Sequence, residues 1–380
     1  MTGRDRTPTD GPTTVVHLIT TLTQGGAERV LSQVVPRPDD APDERHVVVP
    51  LVDGGMFADE LRSAGVEVRG LGMRPGRDVV RGTLRLASLL RELRPTMVVA
   101  WMYHACLLAM LARPLAGAAR RTRMVWVLRQ SLHAPQDLSP HARTIVRILA
   151  RASHAPEAIA INTRTGRDHH AAAGYRPRRW IDLPNGCDTD RFRPDDADRR
   201  AVRRELDIPD GTTAVMFVGR DHPQKRLDTL IAALPRVRTD APLTLVMVGS
   251  GTEQRSGTDG AVRRIGLGDR RVVERLLRGA DLLVLPSRTE GTPNAVIEAM
   301  ATGVPCVVTA VGDSAELVGP TGEVVPPDAE QELVDAIDRM VALDGTERAR
   351  LGELARERAI ERHALSVAQE RYRALWEHPA

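Results

Sequence analysis

Lys225 is the only lysine in a chain of 380 residues whose other basic side chains are all arginine, and it stands five positions after Arg220 in GRDHPQKR. Arginine grips two phosphate oxygens with a planar fork, whereas lysine brings a compact charge on a flexible stem. One diphosphate could use both. On a solvated turn the lysine would carry no meaning. Where arginine is the default cation, it points to a position that admits no bulkier fork. Further along, RTEGTPNAVIEA carries Glu290 and Glu298, eight positions apart. Thr292 and Pro293 offer an N-cap followed by proline in the first helical turn, so a helix is expected to start here. The N–H groups of Asn294 and Ala295 then lack intrahelical partners and suit a phosphate. Glu298, further into that helix, would repel a phosphate and suits a neutral polyol such as a ribose. Glu290, in the loop, can meet whatever hangs from the far side of the phosphate. Two glutamates at this spacing are by themselves surface carboxylates; their setting around Gly291-Thr292-Pro293-Asn294, after an apolar strand, argues for a site.

The elements that must position these groups alternate between β-rich runs and helical stretches, the pattern of a parallel α/β protein. Strands are expected at Val15–Leu22, His46–Val52, Val66–Leu71, Met97–Trp101, Met124–Leu128 and Ala158–Asn162, with helices at Ala27–Val35, Arg81–Leu93 and Ile145–Ala152. The pattern lapses at LPNGCDTDRFRPDD (183–196), where turn-forming residues cluster. It resumes with strands at Ala214–Gly219, Leu243–Gly249, Asp281–Pro286 and Pro305–Ala310, and helices at Leu227–Ala233, Val272–Arg278 and Pro293–Ala301. A helical region in pieces runs from about Ala329 to the end. The expected layout is a lead over 1–12, an N-terminal Rossmann-like domain over 13–190 and a C-terminal Rossmann-like domain over 191–360. A last helix over 361–380 is open to crossing back to the first domain. Two such doubly wound sheets would face a central cleft, with ligands at the carboxyl ends of their strands.

Composition narrows the function. Apolar residues at 42% and charged residues at 27% fit a globular chain rather than a disordered one. Aromatic residues reach only 3%, which leaves little with which to stack bases and argues against a nucleic-acid partner. Cys106, Cys187 and Cys306 form no CxxC pair, which suits a reducing cytoplasmic compartment. The polar N-terminus has no apolar core segment, and no window approaches a bilayer span. A basic amphipathic helix around His141–Ala152, with Arg143, Arg147 and Arg151 set against Ile145, Ile148 and Leu149, either packs on its own sheet or meets anionic lipid at the inner membrane face. Three more residues lie at expected strand ends. Gly25 and Gly26 allow close backbone approach or simply make a turn. His104 either packs or faces a ligand, and Arg129 either binds an acidic group or makes a structural ion pair.

Four segments in order, LTQGGAER, PNGCDTDRF, the strand–GR–x4–K–helix unit and the E-x7-E stretch RTEGTPNAVIEA, resemble the large retaining glycosyltransferase family 4 of the GT-B fold. The resemblance covers roughly residues 15 to 345. It implies transfer of a sugar, of the hexosyl type, from a nucleotide donor, usually UDP-linked, to an acceptor hydroxyl with retention at the anomeric carbon. By position, Arg220 and Lys225 would hold the donor diphosphate and Glu298 the ribose hydroxyls. Glu290 would meet the donor sugar near the reacting centre, and Thr292, Pro293 and Asn294 would complete the phosphate and sugar contacts. The loop of Gly25 and Gly26 would meet donor or acceptor, His104 would lie near the sugar, and the partner would be a small-molecule, glycolipid or glycan acceptor. The family needs no metal and no cofactor, in keeping with the want of a DxD-type cluster at the expected strand ends. The segment 251–266 is shorter than the insertion usual in relatives, where it frames the base. Two rival readings stand: a sugar-nucleotide epimerase on the same fold, and a non-catalytic nucleotide-sugar-binding protein.

Overall fold

The computed structural model describes residues 13–23, 25–36, 44–74, 78–118, 121–132, 138–259, 262–267 and 272–377. The lead expected over 1–12 and Gln24 of the glycine motif lie outside them. The chain divides into two compact units. The first holds the chain up to Ile161, Arg167–Leu183 and the stretch from Arg371; the second holds Asn162–Gly166 and Pro184–Glu370.

In the first unit, seven strands among the described residues form one sheet: β1 (Thr13–Ile19), β2 (Glu44–Pro50), β3 (Glu67–Val68), β4 (Met97–Trp101), β5 (Arg123–Leu128), β6 (Ala158–Ile161) and β7 (Trp180–Asp182). Their order is β3-β2-β1-β4-β5-β6-β7, and every pairing is parallel. Helices cover both faces, so the central strands are buried along nearly their whole length rather than alternating. Val15, Ile19, Val99 and Trp101 enter one core, Val16, Leu18, Val98 and Ala100 the other. The chain steps outward from β1 to β3 and then returns to β4 on the other side of β1. That reversal opens a crevice at the carboxyl ends of β1 and β4. The strand expected over Val66–Leu71 shrinks to two residues, although Arg69 and Leu71 still donate backbone N–H groups to Val48 and Pro50. Tyr372 stacks on Trp101 with ring centres 5.6 Å apart, and Trp376 sets an edge against His17 at 5.5 Å.

In the second unit the described strands are β8 (Thr213–Val218), β9 (Leu243–Val248), β10 (Gly257–Asp259), β11 (Val262–Leu267), β12 (Leu282–Leu285), β13 (Cys306–Thr309) and β14 (Gly322–Val325). The order is β10-β11-β9-β8-β12-β13-β14, parallel except for β10 against β11. Here the reversal falls between β8 and β12, whose carboxyl ends release the segments carrying Lys225 and Glu290. At the opposite, amino edge of the same strands, Asp281 ties three elements together. Its Oδ1 accepts from Arg199 at 2.5 Å, and its Oδ2 accepts from Arg203 at 3.0 Å and from the Ala214 N–H at 2.7 Å.

Strands β7, β10, β11 and β14 are not foreseen by the sequence reading. All lie at or next to a sheet edge, where one side needs no apolar cover, and β11 reads VRRIGL with only Val262 fully buried. The helix expected around His141–Ala152 runs over Pro140–Arg151 with Ser139 as its cap. It buries Ile145, Val146, Leu149 and Ala150, while Ile148, grouped with the apolar face from sequence, is exposed beside Arg147 and Arg151. Among the described residues no helix is long and apolar enough to cross a membrane.

Candidate active site

At the end of β8, Gly219 donates its N–H to Val248 and Asp221 donates to Ser250, so the chain leaves the sheet braced against the end of β9. That bracing needs Gly249, whose φ of +144° and close approach leave no room for a side chain: a Cβ there would lie 2.1 Å from the Gly219 oxygen. Arg220 is exposed. A single 3-10 turn over Pro223–Lys225 follows, capped by His222, whose Nδ1 accepts from the Gln224 N–H. The turn aims Lys225 at the loop after β12, where its Nζ donates to Glu290 Oε1 at 2.5 Å. The same oxygen accepts from Ser287 Oγ at 2.6 Å, and the Glu290 side chain is only 10% exposed. The backbone joins these loops too, because the Arg288 N–H donates to the Gln224 oxygen at 2.8 Å. A carboxylate and an ammonium group thus sit in contact at the carboxyl ends of two adjacent strands.

A third loop, after β13, closes on the second. Gly312 has φ +57°, and a Cβ built there would lie 2.2 Å from the Gly291 oxygen and 2.6 Å from that of Glu290; the Asp313 N–H donates to Gly291 at 3.0 Å. Valine at 312 must therefore displace the backbone under Glu290, or strain a left-handed position by about 1–3 kcal/mol. The expected result for Gly312→Val is a lower melting temperature, read by thermal denaturation. A wild-type melting temperature would contradict the tight loop. Asp313 is half-buried. Burial pushes its carboxyl up to about 6, against the opposing pull of the Thr165 N–H, while Glu316 adds to the rise.

The helix carrying Glu298 runs over Asn294–Ala301 and buries Glu298 to 5% exposure. Its cap position is Pro293, with no side-chain cap bond, which corrects the reading of Thr292 as the N-cap. The Thr292 hydroxyl is engaged elsewhere: it donates to the Asn162 carbonyl at 3.0 Å and lies 3.5 Å from Asp313 Oδ2.

The sequence reading passed over a group of residues that hold this loop. Asn185 is 5% exposed and donates its side-chain nitrogen to the Thr292 carbonyl at 3.3 Å and to Asn294 Oδ1 at 2.5 Å. Asn162 Nδ2 donates to Asn185 Oδ1 at 3.2 Å. The signal that could have found Asn185 is its place in PNG directly after a strand, where a buried amide has to find partners.

The remaining candidates lie in the first unit. Gly25, extended at φ −176°, caps the helix Gly26–Val34, and Glu28 in its first turn accepts from the Thr21 hydroxyl at 3.0 Å. His104 follows β4 after Met102, a non-glycine residue at φ +66°, a strained backbone of the kind often found at functional sites. Its ring is exposed and packs 5.8 Å from that of His141; desolvation and this second ring hold its pKa below the ordinary histidine value. Arg129, at the end of β5, donates to the buried Tyr372 hydroxyl at 2.7 Å, and its N–H meets Met102 Sδ at 3.4 Å. Among the described residues no cluster of three or more His, Cys, Asp or Glu is arranged to hold a metal ion.

The two sheets, each reversing once with its candidate residues at the carboxyl ends, define the class: a GT-B fold. Residues 24–191 match the family Glycosyltransferase Family 4, and residues 212–342 match Glycosyl transferases group 1, so both parts of the chain carry glycosyltransferase sequence. A D-inositol 3-phosphate glycosyltransferase of Geodermatophilus obscurus is 32% identical over 193 residues, covering 46% of this chain and 42% of that relative. One from Mycobacterium bovis is 34% identical over 214 residues, covering 52% and 42%. The match spans less than half the length of these curated relatives. Among solved structures, Anabaena Alr3699/HepE in complex with UDP superposes with a TM-score of 0.81 at 22% identity, covering 95% of this chain and 99% of that one. The same protein has been solved with UDP-glucose.

Proposed function

We propose that the chain is a retaining glycosyltransferase that moves a sugar from a nucleoside diphosphate donor, with UDP as the nucleotide, to an acceptor hydroxyl without a metal ion. The observation that carries this reading is the contact of Lys225 Nζ with a nearly buried Glu290 at 2.5 Å, at the reversal point of a parallel sheet. Breaking a sugar–diphosphate bond builds negative charge on the leaving group. A compact cation beside the site, with the exposed Arg220 in the same loop after β8, favours that transition state over the ground state. Glu290 then faces the sugar side, and Glu298, inside the helix, suits the ribose hydroxyls. Support also comes from the glycosyltransferase sequence in both halves and from a structural neighbour that binds UDP and UDP-glucose. The leaving phosphate itself is the base that takes the acceptor proton on the same face, which retains the anomeric configuration.

The test is melting temperature in the presence of UDP, GDP, ADP and dTDP, followed by transfer assays with the matching sugar nucleotides in chelator. A polyol phosphate, as in the names of the curated relatives, is the first acceptor to try. UDP at one hundred times its dissociation constant is expected to add about 2.7 kcal/mol of stability. NMR of the product should show the donor's anomeric configuration. A protein stabilised by none of the four nucleotides, or a product of inverted configuration, would overturn the reading.

A further inference from the structure

The three asparagines behind the Glu290 loop form a chain whose direction is fixed. A side-chain amide can be turned end for end, so its orientation must come from its partners. Here one partner is unambiguous: the Thr292 carbonyl can only accept, so the end of Asn185 that faces it at 3.3 Å is the nitrogen. The other end, Oδ1, accepts from Asn162 Nδ2 at 3.2 Å, which agrees. Because that same Asn185 nitrogen meets Asn294 at 2.5 Å, the atom it meets must be the Asn294 oxygen. The Asn294 amide nitrogen, with its two N–H donors, is thereby turned away from the buried network. It makes no bond to any described residue, and Asn294 is only half-buried. The Thr292 carbonyl has dictated, two amides away, that this site presents a donor rather than an acceptor.

We propose that Asn185 is a positioning residue of the donor site that acts through Asn294, holding its amide oxygen inward so that the nitrogen meets an acceptor oxygen of the sugar nucleotide. The inference rests on the donor reading given above. The ligand oxygen belongs either to the diphosphate or to a sugar hydroxyl, and the two are told apart by the probe. With aspartate at 185 the network could no longer donate to Thr292, and Asn294 would rotate to donate inward, turning its oxygen outward.

The test is calorimetric titration of UDP and UDP-glucose into wild type, Asn185→Ala, Asn294→Ala and the double variant. Each single change is expected to weaken binding about tenfold, the worth of one hydrogen bond to a charged or strongly polar group. The double variant is expected to bind no worse than Asn294→Ala alone, because Asn185 has nothing left to orient. A loss seen with both ligands assigns the oxygen to the diphosphate; a loss seen only with UDP-glucose assigns it to the sugar. Additive losses, or undiminished affinity in Asn185→Ala, would overturn the inference while leaving the donor reading intact. Wild type that binds neither ligand would overturn the donor reading and the inference with it. Should Asn185→Ala not fold, Asn294→Asp decides. Its inward oxygen still accepts from Asn185, so the melting temperature should stay at the wild-type value, while an anionic oxygen faces the ligand and UDP-glucose affinity falls more than tenfold. Full affinity in that variant would sink the proposal.

Discussion

Alanine at Lys225 or at Glu290 is expected to lower turnover with saturating donor by about 10²–10³-fold, the cost of removing one group aimed at charge that develops in the transition state. The two losses have different origins. In the proposed reaction, removing Lys225 takes a point charge from the leaving diphosphate, and removing Glu290 takes from the sugar the carboxylate that faces it. They also have different structural costs. Lys225→Ala leaves a carboxylate that is only 10% exposed short of its cationic partner, a loss of about 1–3 kcal/mol. The control is the double variant Lys225→Met/Glu290→Gln, which removes both charges. Exchanging a desolvated ion pair for neutral groups of similar volume is close to neutral for stability. This variant should therefore melt near wild type and still fail to transfer sugar. Lys225→Arg keeps the charge but replaces the slim ammonium by a fork, and should fall between. Turnover within threefold of wild type in both alanine variants would remove Lys225 and Glu290 from the chemistry altogether.

That these two residues could be placed at one sheet edge from sequence follows from how a parallel sheet is written. Strands such as TAVMFV and LTLVMV are buried on both faces, so they appear as near-continuous apolar runs, and the residues just after them must lie at one edge of the sheet. The sequence shows the edge but not the strand order, and only the order makes β8 and β12 neighbours. What stayed hidden has a common cause. Strands at or next to an edge, such as β7 and β11, bury too little apolar surface to announce themselves. The amide chain joins Asn185 to Asn162 and Asn294, 23 and 109 positions away, and no local pattern links residues so distant. Thr292 reads as a cap from its neighbours alone, because nothing near it in sequence reveals the Asn162 carbonyl that claims its hydroxyl. The helix Met102–Leu115 is apolar on most sides and contains Pro114, so neither its period nor its composition marked it.

Asp281 should show the opposite behaviour, a large effect on stability with little on ligand binding. Its carboxylate takes the Ala214 N–H at the start of β8 and the guanidinium groups of Arg199 and Arg203 on the helix Asp196–Glu205, so removing it uncouples that helix from the sheet and leaves two partly buried cations without their anion. Breaking such a group from one side costs about 3–5 kcal/mol, and Asp281→Ala should lose that much in chemical denaturation at pH 7. The pH dependence carries the sign. Burial alone would push this carboxyl up, but Arg199, with the Ala214 N–H and Arg203, holds it below its ordinary value of 3.8. A carboxylate with a depressed folded pKa stabilises fully above the unfolded value and loses that contribution as pH falls through the folded one. The gap between wild type and Asp281→Ala should therefore be constant from about pH 8 to 5 and shrink below about pH 4. A gap under about 1 kcal/mol at pH 7, or one undiminished at pH 3, would contradict the anchor. Because Asp281 sits at the amino edge of the very strands whose carboxyl edge bears Lys225 and Glu290, variant protein that remains folded should bind UDP as wild type does. The proposed chemistry and the Asp281 anchor thus lie at opposite ends of β8 and β12.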